Sequence, residues 1–215
     1  ELGSNLQVLD LAGQLRKACE EVGFFVVTDH GVSESLMEGF RQECTTFFSR
    51  SPQSNVLSMV CGTDSRFVWL DYVPAEPGND DRSSYSLGPV QGRGSLPWQL
   101  DRKELADAWA KYYAAMEGLV AVLMRLFALA MQLPIDAFAT ALEGHRSSMR
   151  AILYPRVAEE DLQAEGAVVR SPGHTDWGCV TVLLPDPEIA GLEVCDKDGC
   201  WLPLRAERGG LVVNL

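Results

Sequence analysis

Apolar residues recur at helical spacing through the first half of the chain and in alternation through its last third. Leu11, Leu15, Ala18, Cys19 and Val22 share one helical face, with Asp10 placed to cap the helix and Gly23 to end it. Phe24-Phe25-Val26-Val27-Thr28 then reads as a short buried strand, and Asp29-His30-Gly31 as a turn. A second helix is expected from near Ser33, carrying Leu36, Phe40, Cys44 and Phe47 on one face. From Ser49 to about Leu100 the periodicity fails among Ser, Gly, Pro and Asp. So long an irregular tract covers a site or is partly disordered, and its Phe67, Trp69, Tyr72 and Tyr85 argue for packing. Asp101 and Glu104 form a capping box for a long helix lined by Leu105, Trp109, Tyr112, Met116, Leu119, Leu123 and Leu126. Pro134 interrupts that helix, and a shorter one is expected from Ile135 to Leu142.

Beyond His145 the period becomes that of strands: Met149 to Tyr154, Cys179 to Leu184, Gly191 to Cys195, Cys200 to Leu204 and Leu211 to Leu215. Turn residues such as Pro185-Asp186-Pro187 and Asp198-Gly199 separate them. Helices first and short strands after predict an α+β protein, a helical layer wrapped on an antiparallel double sheet or barrel.

Composition narrows the function classes. The chain is 47% hydrophobic and 22% charged, enough to bury a real core. Its 18 Lys and Arg against 30 Asp and Glu give a net charge of -12, with no basic run, which argues against nucleic acid and anionic membrane surfaces as partners. The most apolar stretch, Leu119 to Leu133, is broken by Arg125 and Gln132 and reads as a buried helix rather than a membrane span. No signal peptide opens the chain and it does not begin with Met, so it reads as a fragment or a processed product. None of the six cysteines forms a C-x-x-C pair, which argues against structural zinc. Cys195 and Cys200 flank a turn and either bridge a hairpin or stay free; free thiols of a reducing cytosol are the favoured reading.

The residues that carry chemistry are Gly173-His174-Thr175-Asp176-Trp177-Gly178, which lead into a β-branched run. In extended backbone, residues two apart project to one side, so His174 and Asp176 can reach a single ion while Thr175 points away. Imidazole plus carboxylate is half of the facial triad that holds Fe(II) with positions open for substrates. The competing reading is a loop histidine and aspartate that hydrogen-bond locally.

Around this motif the chain resembles the isopenicillin N synthase-like Fe(II)/2-oxoglutarate dioxygenases. Ala18 to Val32 (Ala-Cys-Glu-Glu-Val-Gly-Phe-Phe-Val-Val-Thr-Asp-His-Gly-Val) is similar to the family's N-terminal signature. Asp81 to Gly88 is similar to a family stretch, with Ser83 where an acidic residue is common. Met149-Arg150-Ala151-Ile152-Leu153-Tyr154-Pro155 resembles the strand whose Tyr-Pro ends beside the co-substrate. Gly191-Leu192-Glu193-Val194, Trp201 and Leu211-Val212-Val213-Asn214-Leu215 match later family strands in order.

The resemblance implies a helical N-terminal layer packed on a partial double-stranded β-helix, or jelly roll. It divides the chain into an N-terminal dioxygenase region over 1–100, helical support over 101–148 and an incomplete oxygenase core over 149–215. It makes His174 and Asp176 iron ligands, and gives Tyr154 a hydrogen bond to the distal carboxylate of 2-oxoglutarate. Fe(II), 2-oxoglutarate and O2 are then the expected cofactor and co-substrates. The expected partner is a small organic substrate that is hydroxylated, desaturated or closed into a ring. His30 becomes structural. His145 reads as a loop residue. Trp177 either walls the pocket or packs as an ordinary aromatic, and Arg150 pairs with a carboxylate in the site or at a strand edge.

No histidine follows Asp176. The family's distal histidine, expected after a Gly-Asp that succeeds Val-Asn-Leu, and its Arg-x-Ser would both fall beyond Leu215. The chain therefore reads as a family member cut short of its third ligand, inactive by itself. An iron oxidase that does not use 2-oxoglutarate and a non-catalytic remnant or binding module are the alternatives. The substrate and the oligomeric state stay open.

Overall fold

The computed structural model describes residues 6–49, 70–73, 83–87, 103–145, 147–154, 169 and 171–215. Helices α1 (Leu6–Glu21), α2 (Glu34–Phe48), α3 (Lys103–Ala130) and α4 (Ala139–Glu143) and strands β1 (Phe24–Val27), β2 (Leu70–Val73), β3 (Ser83–Leu87) and β4 (Met149–Leu153) run in the order α1-β1-α2-β2-β3-α3-α4-β4. Strands β5 (Thr181–Leu183), β6 (Glu193–Cys195), β7 (Trp201–Pro203) and β8 (Leu211–Asn214) follow. The protein is α+β. Its chain divides into two compact units: 1–37 with 112–144 and 176–215, and 38–111 with 145–175.

In the first unit, β8 is the centre of a three-stranded antiparallel sheet of order β1-β8-β5. Leu211, Val212 and Val213 are each 1% exposed or less. Successive strand residues point to opposite faces, so β8 is buried on both, as a continuous apolar run demands. Phe24 pairs with Asn214 and Val27 with Leu211, which joins the N-terminal stretch to the last strand. Phe25 of β1 stacks edge-on against Phe127 of α3, centroids 6.3 Å apart. The chain reaches β8 through Gly209, at φ +83°, and Gly210, where an added Cβ would lie 3.1 Å from both the Glu207 carbonyl and Val26. The separate hairpin β6-β7 places Cys195 opposite Trp201, not opposite Cys200, and both cysteines are free.

In the second unit, β2, β3 and β4 form an antiparallel sheet in that order, with Tyr72 opposite Tyr85 and Ser86 opposite Arg150. Strands β2 and β3 were not expected from the irregular tract: Leu-Asp-Tyr-Val and Ser-Ser-Tyr-Ser-Leu carry weak patterns, and the pairing of β3 with β4 and of β2 with β3 makes them strands. Phe67 and Trp69 lie outside the described residues. Phe40 of α2 meets Trp109 of α3 edge-on at 5.4 Å, and Trp109 is wholly buried. Truncating such a ring costs about 3–5 kcal/mol.

The helices correct the expectations in detail. Helix α1 begins at Leu6, so Asp10 lies inside it and accepts from Gln14 Nε2 at 2.8 Å instead of capping. Leu11 is exposed, and the buried face carries Ala12 and Leu15. Ser33 does open α2, its hydroxyl accepting from the Leu36 N–H at 3.3 Å. Asp101, half of the expected capping box, lies outside the described residues. By length and composition α3 could cross a membrane, a test that core helices also pass; of the predicted stripe it buries Leu105, Trp109, Tyr112, Leu119 and Leu123, while Met116 and Leu126 are half-buried. Its end is set before Pro134. Gln132 N–H bonds to Leu129 O and Leu133 N–H to Ala128 O, with Gln132 at φ +60°, a Schellman ending. Turns occupy much of 135–142, and α4 starts only at Ala139.

Candidate metal centre

The H-x-D segment is irregular backbone leading toward β5, and the boundary between the two units falls between Thr175 and Asp176. On one side, His174 is exposed, with Nδ1 2.8 Å from the Pro172 carbonyl. A carbonyl oxygen only accepts, so Nδ1 carries the proton and the lone pair of the neutral ring belongs to Nε2. Metal-binding histidines characteristically donate their other ring N–H to such a partner.

On the other side, Asp176 is exposed and its Oδ2 accepts two hydrogen bonds, from Thr181 Oγ1 at 2.6 Å and from Asn214 Nδ2 at 2.8 Å. Both donors stand in the β5-β8 ladder, where Thr181 and Asn214 are direct partners. Reading the sequence missed them as site residues. One signal was there, a polar Asn at the end of the apolar run Leu-Val-Val of a buried strand.

Imidazole nitrogen and carboxylate oxygen suit Fe(II), so the donor types fit that ion. They supply two donors. Among the described residues, no three His, Cys, Asp or Glu side chains gather where a metal ion could be held. His30 is occupied in the first unit: Nε2 donates to the Gly209 carbonyl at 2.8 Å while Nδ1 accepts from the Val32 N–H at 3.2 Å. His145 Nδ1 lies 3.1 Å from the Ser147 hydroxyl, a loop contact as expected. Tyr154 directly follows β4 and is half-buried. Arg150 lies on β4, an edge strand among the described residues. Trp177 is fully exposed among the described residues rather than packed.

The fold is that of known oxygenases. A full-length Neurospora crassa protein, crystallised with alpha-KG and 5-formyluracil, superposes with a TM-score of 0.83 at 20% identity, over 98% of this chain and 67% of that one. Among curated proteins, naringenin,2-oxoglutarate 3-dioxygenase of Matthiola incana is 27% identical across the whole chain, which covers 63% of that enzyme. Homoarginine-6-hydroxylase 2-ODD-233 of Oryza sativa subsp. japonica is 28% identical over 97% of this chain and 67% of its own length. The chain thus spans about three-fifths to two-thirds of these curated relatives. Residues 2–56 match the family described as non-haem dioxygenase in morphine synthesis N-terminal. Residues 145–215 match the 2OG-Fe(II) oxygenase superfamily. Residues 145–215 thus belong to the 2OG-Fe(II) oxygenase superfamily, oxidoreductases that depend on iron and 2-oxoglutarate.

Proposed function

We propose that this chain carries the iron-binding part of a partial jelly roll, in an enzyme that couples 2-oxoglutarate decarboxylation to oxidation of a C–H bond in a small organic substrate. One observation carries the reading. His174 is held in the tautomer that leaves Nε2 as the donor, two residues from a carboxylate anchored by two hydrogen bonds. The match of 145–215 to the superfamily supports it.

In this reading Asp176 supplies one anionic oxygen donor and His174 one neutral nitrogen donor. Tyr154 donates its hydroxyl to the distal carboxylate of 2-oxoglutarate. Bound Fe(II) would supply the redox chemistry that activates O2. The relatives' names and bound molecules include naringenin, homoarginine and 5-formyluracil, three chemically unlike molecules, so the support for a substrate stops at that class. In this reading His174 and Asp176 are the donors that the described residues contribute, while His30 is held between the Gly209 carbonyl and the Val32 N–H.

The test is anaerobic Fe(II) titration and succinate release in the full natural chain that carries these residues. Both fall steeply in His174→Ala and Asp176→Ala if the reading holds. Wild-type iron affinity in both variants would remove these residues from the metal.

A further inference from the structure

We infer that Thr181 and Asn214 are positioning residues that set the plane of the Asp176 carboxylate for metal binding. This rests on the reading of Asp176 as a ligand. The geometry begins with the ladder: Thr181 and Asn214 are direct antiparallel partners on β5 and β8, so their side chains rise from the same face of the sheet. Both converge on one atom, Asp176 Oδ2, at 2.6 and 2.8 Å. A carboxylate only accepts, so Asn214 must turn its NH2 toward it; the flipped amide would set oxygen against oxygen.

The terminal torsion of aspartate is broad, and a solvent-exposed carboxylate samples it freely unless something holds it. Two charge-assisted bonds from different strands to one oxygen remove that freedom before any ion arrives. The ordering is thus built into the sheet instead of being taken from the binding energy. The anchoring also reaches deep: Asn214 ends a strand whose three preceding residues are fully buried, so the backbone that carries this half-buried donor is held in the core.

The experiment titrates Fe(II) alone, anaerobically and without 2-oxoglutarate, into the full natural chain and its variants, with a thermal melt of each. Thr181→Val and Asn214→Ala each weaken Fe(II) binding by about 10- to 100-fold, the usual cost of losing a partner of a metal ligand. Thr181→Ser restores the hydroxyl and most of the affinity, which a purely structural role for the threonine would not require. In the double variant the loss is smaller than the product of the two single losses, because both act on one oxygen. Asp176→Ala separates the two ideas. If it abolishes binding while Thr181→Val and Asn214→Ala stay within about twofold of wild type, the positioning role is wrong and the ligand reading stands. If Asp176→Ala binds Fe(II) as wild type does, the ligand reading falls and takes the inference with it. Should Asn214→Ala not fold, the contrast of Thr181→Val with Thr181→Ser, on the edge strand β5, decides alone.

Discussion

The imidazole of His30 donates from Nε2 to the backbone carbonyl of Gly209, 2.8 Å away in space and 179 residues away in sequence. Its other nitrogen accepts from Val32, so one neutral ring ties the turn after β1 to the turn before β8. Replacing it by phenylalanine keeps a ring and removes both bonds. At about 0.5–1.5 kcal/mol each, the loss is about 1–3 kcal/mol, read as a lower midpoint in urea. Iron affinity in the same variant stays near wild type; a large fall would make His30 a ligand instead.

Tyr154→Phe tests the co-substrate role. One hydrogen bond to a charged carboxylate is worth about 1.5–3 kcal/mol, so the variant needs roughly ten- to a hundredfold more 2-oxoglutarate for the same rate of succinate release. Saturation with the organic substrate moves little. An unchanged 2-oxoglutarate requirement would leave Tyr154 as a packing residue at the end of β4.

Cys44 differs from the exposed thiols. Burial, and secondarily the neighbouring Glu43 charge, push its pKa up to about 12, with Arg41 opposing. The thiolate is the nucleophile, so at a pH near the ordinary value of 9.0 only roughly a thousandth of Cys44 is reactive. Alkylation followed by peptide mapping should find Cys179, Cys195 and Cys200 modified first, with the Cys44 rate still climbing as pH rises past 9.0. Equal rates at all four would mean that Cys44 is not shielded in the folded protein.

Gln132 closes α3 in the left-handed region, at φ +60°. That conformation costs an L-residue roughly 1–2 kcal/mol and glycine nearly nothing. Gln132→Gly is expected to stabilise the protein by about 1 kcal/mol and raise Tm by roughly 2–4 °C. A lower Tm would mean that the glutamine side chain contributes more than the backbone loses.

What could be read along the chain was what local pattern encodes. Alternation from Met149 onward located β4 to β8 to within two residues at each end, because turn residues bound each apolar run, whether the strand is buried as β8 is or exposed as β7 is. The stripe from Leu105 to Leu123 located α3 for the same reason. Asp10 misled because a capping residue works only where a helix starts, and α1 already starts at Leu6. Strands β2 and β3 were invisible because they are made strands by pairing, β3 with the distant β4 and β2 with β3. The candidate site divides the same way. His174 and Asp176 are two positions apart and legible as a motif; Asn214 lies 38 positions from Asp176 and reaches it only through strand pairing.

The central place of β8 has a consequence for how the protein is made. Strand β1 leaves the ribosome first among the described strands, yet its hydrogen-bonding partner leaves last. Closing so long a loop makes a slow, late step, and until it happens β1 and β5 are both unpaired edges. Nascent chains arrested before Gly210 should therefore show no amide protection in Phe24–Val27, and longer ones should gain it together with Thr181–Leu183. Asp176 acquires its Asn214 anchor at that same moment, so until β8 is made its carboxylate lacks one of the two donors that order it.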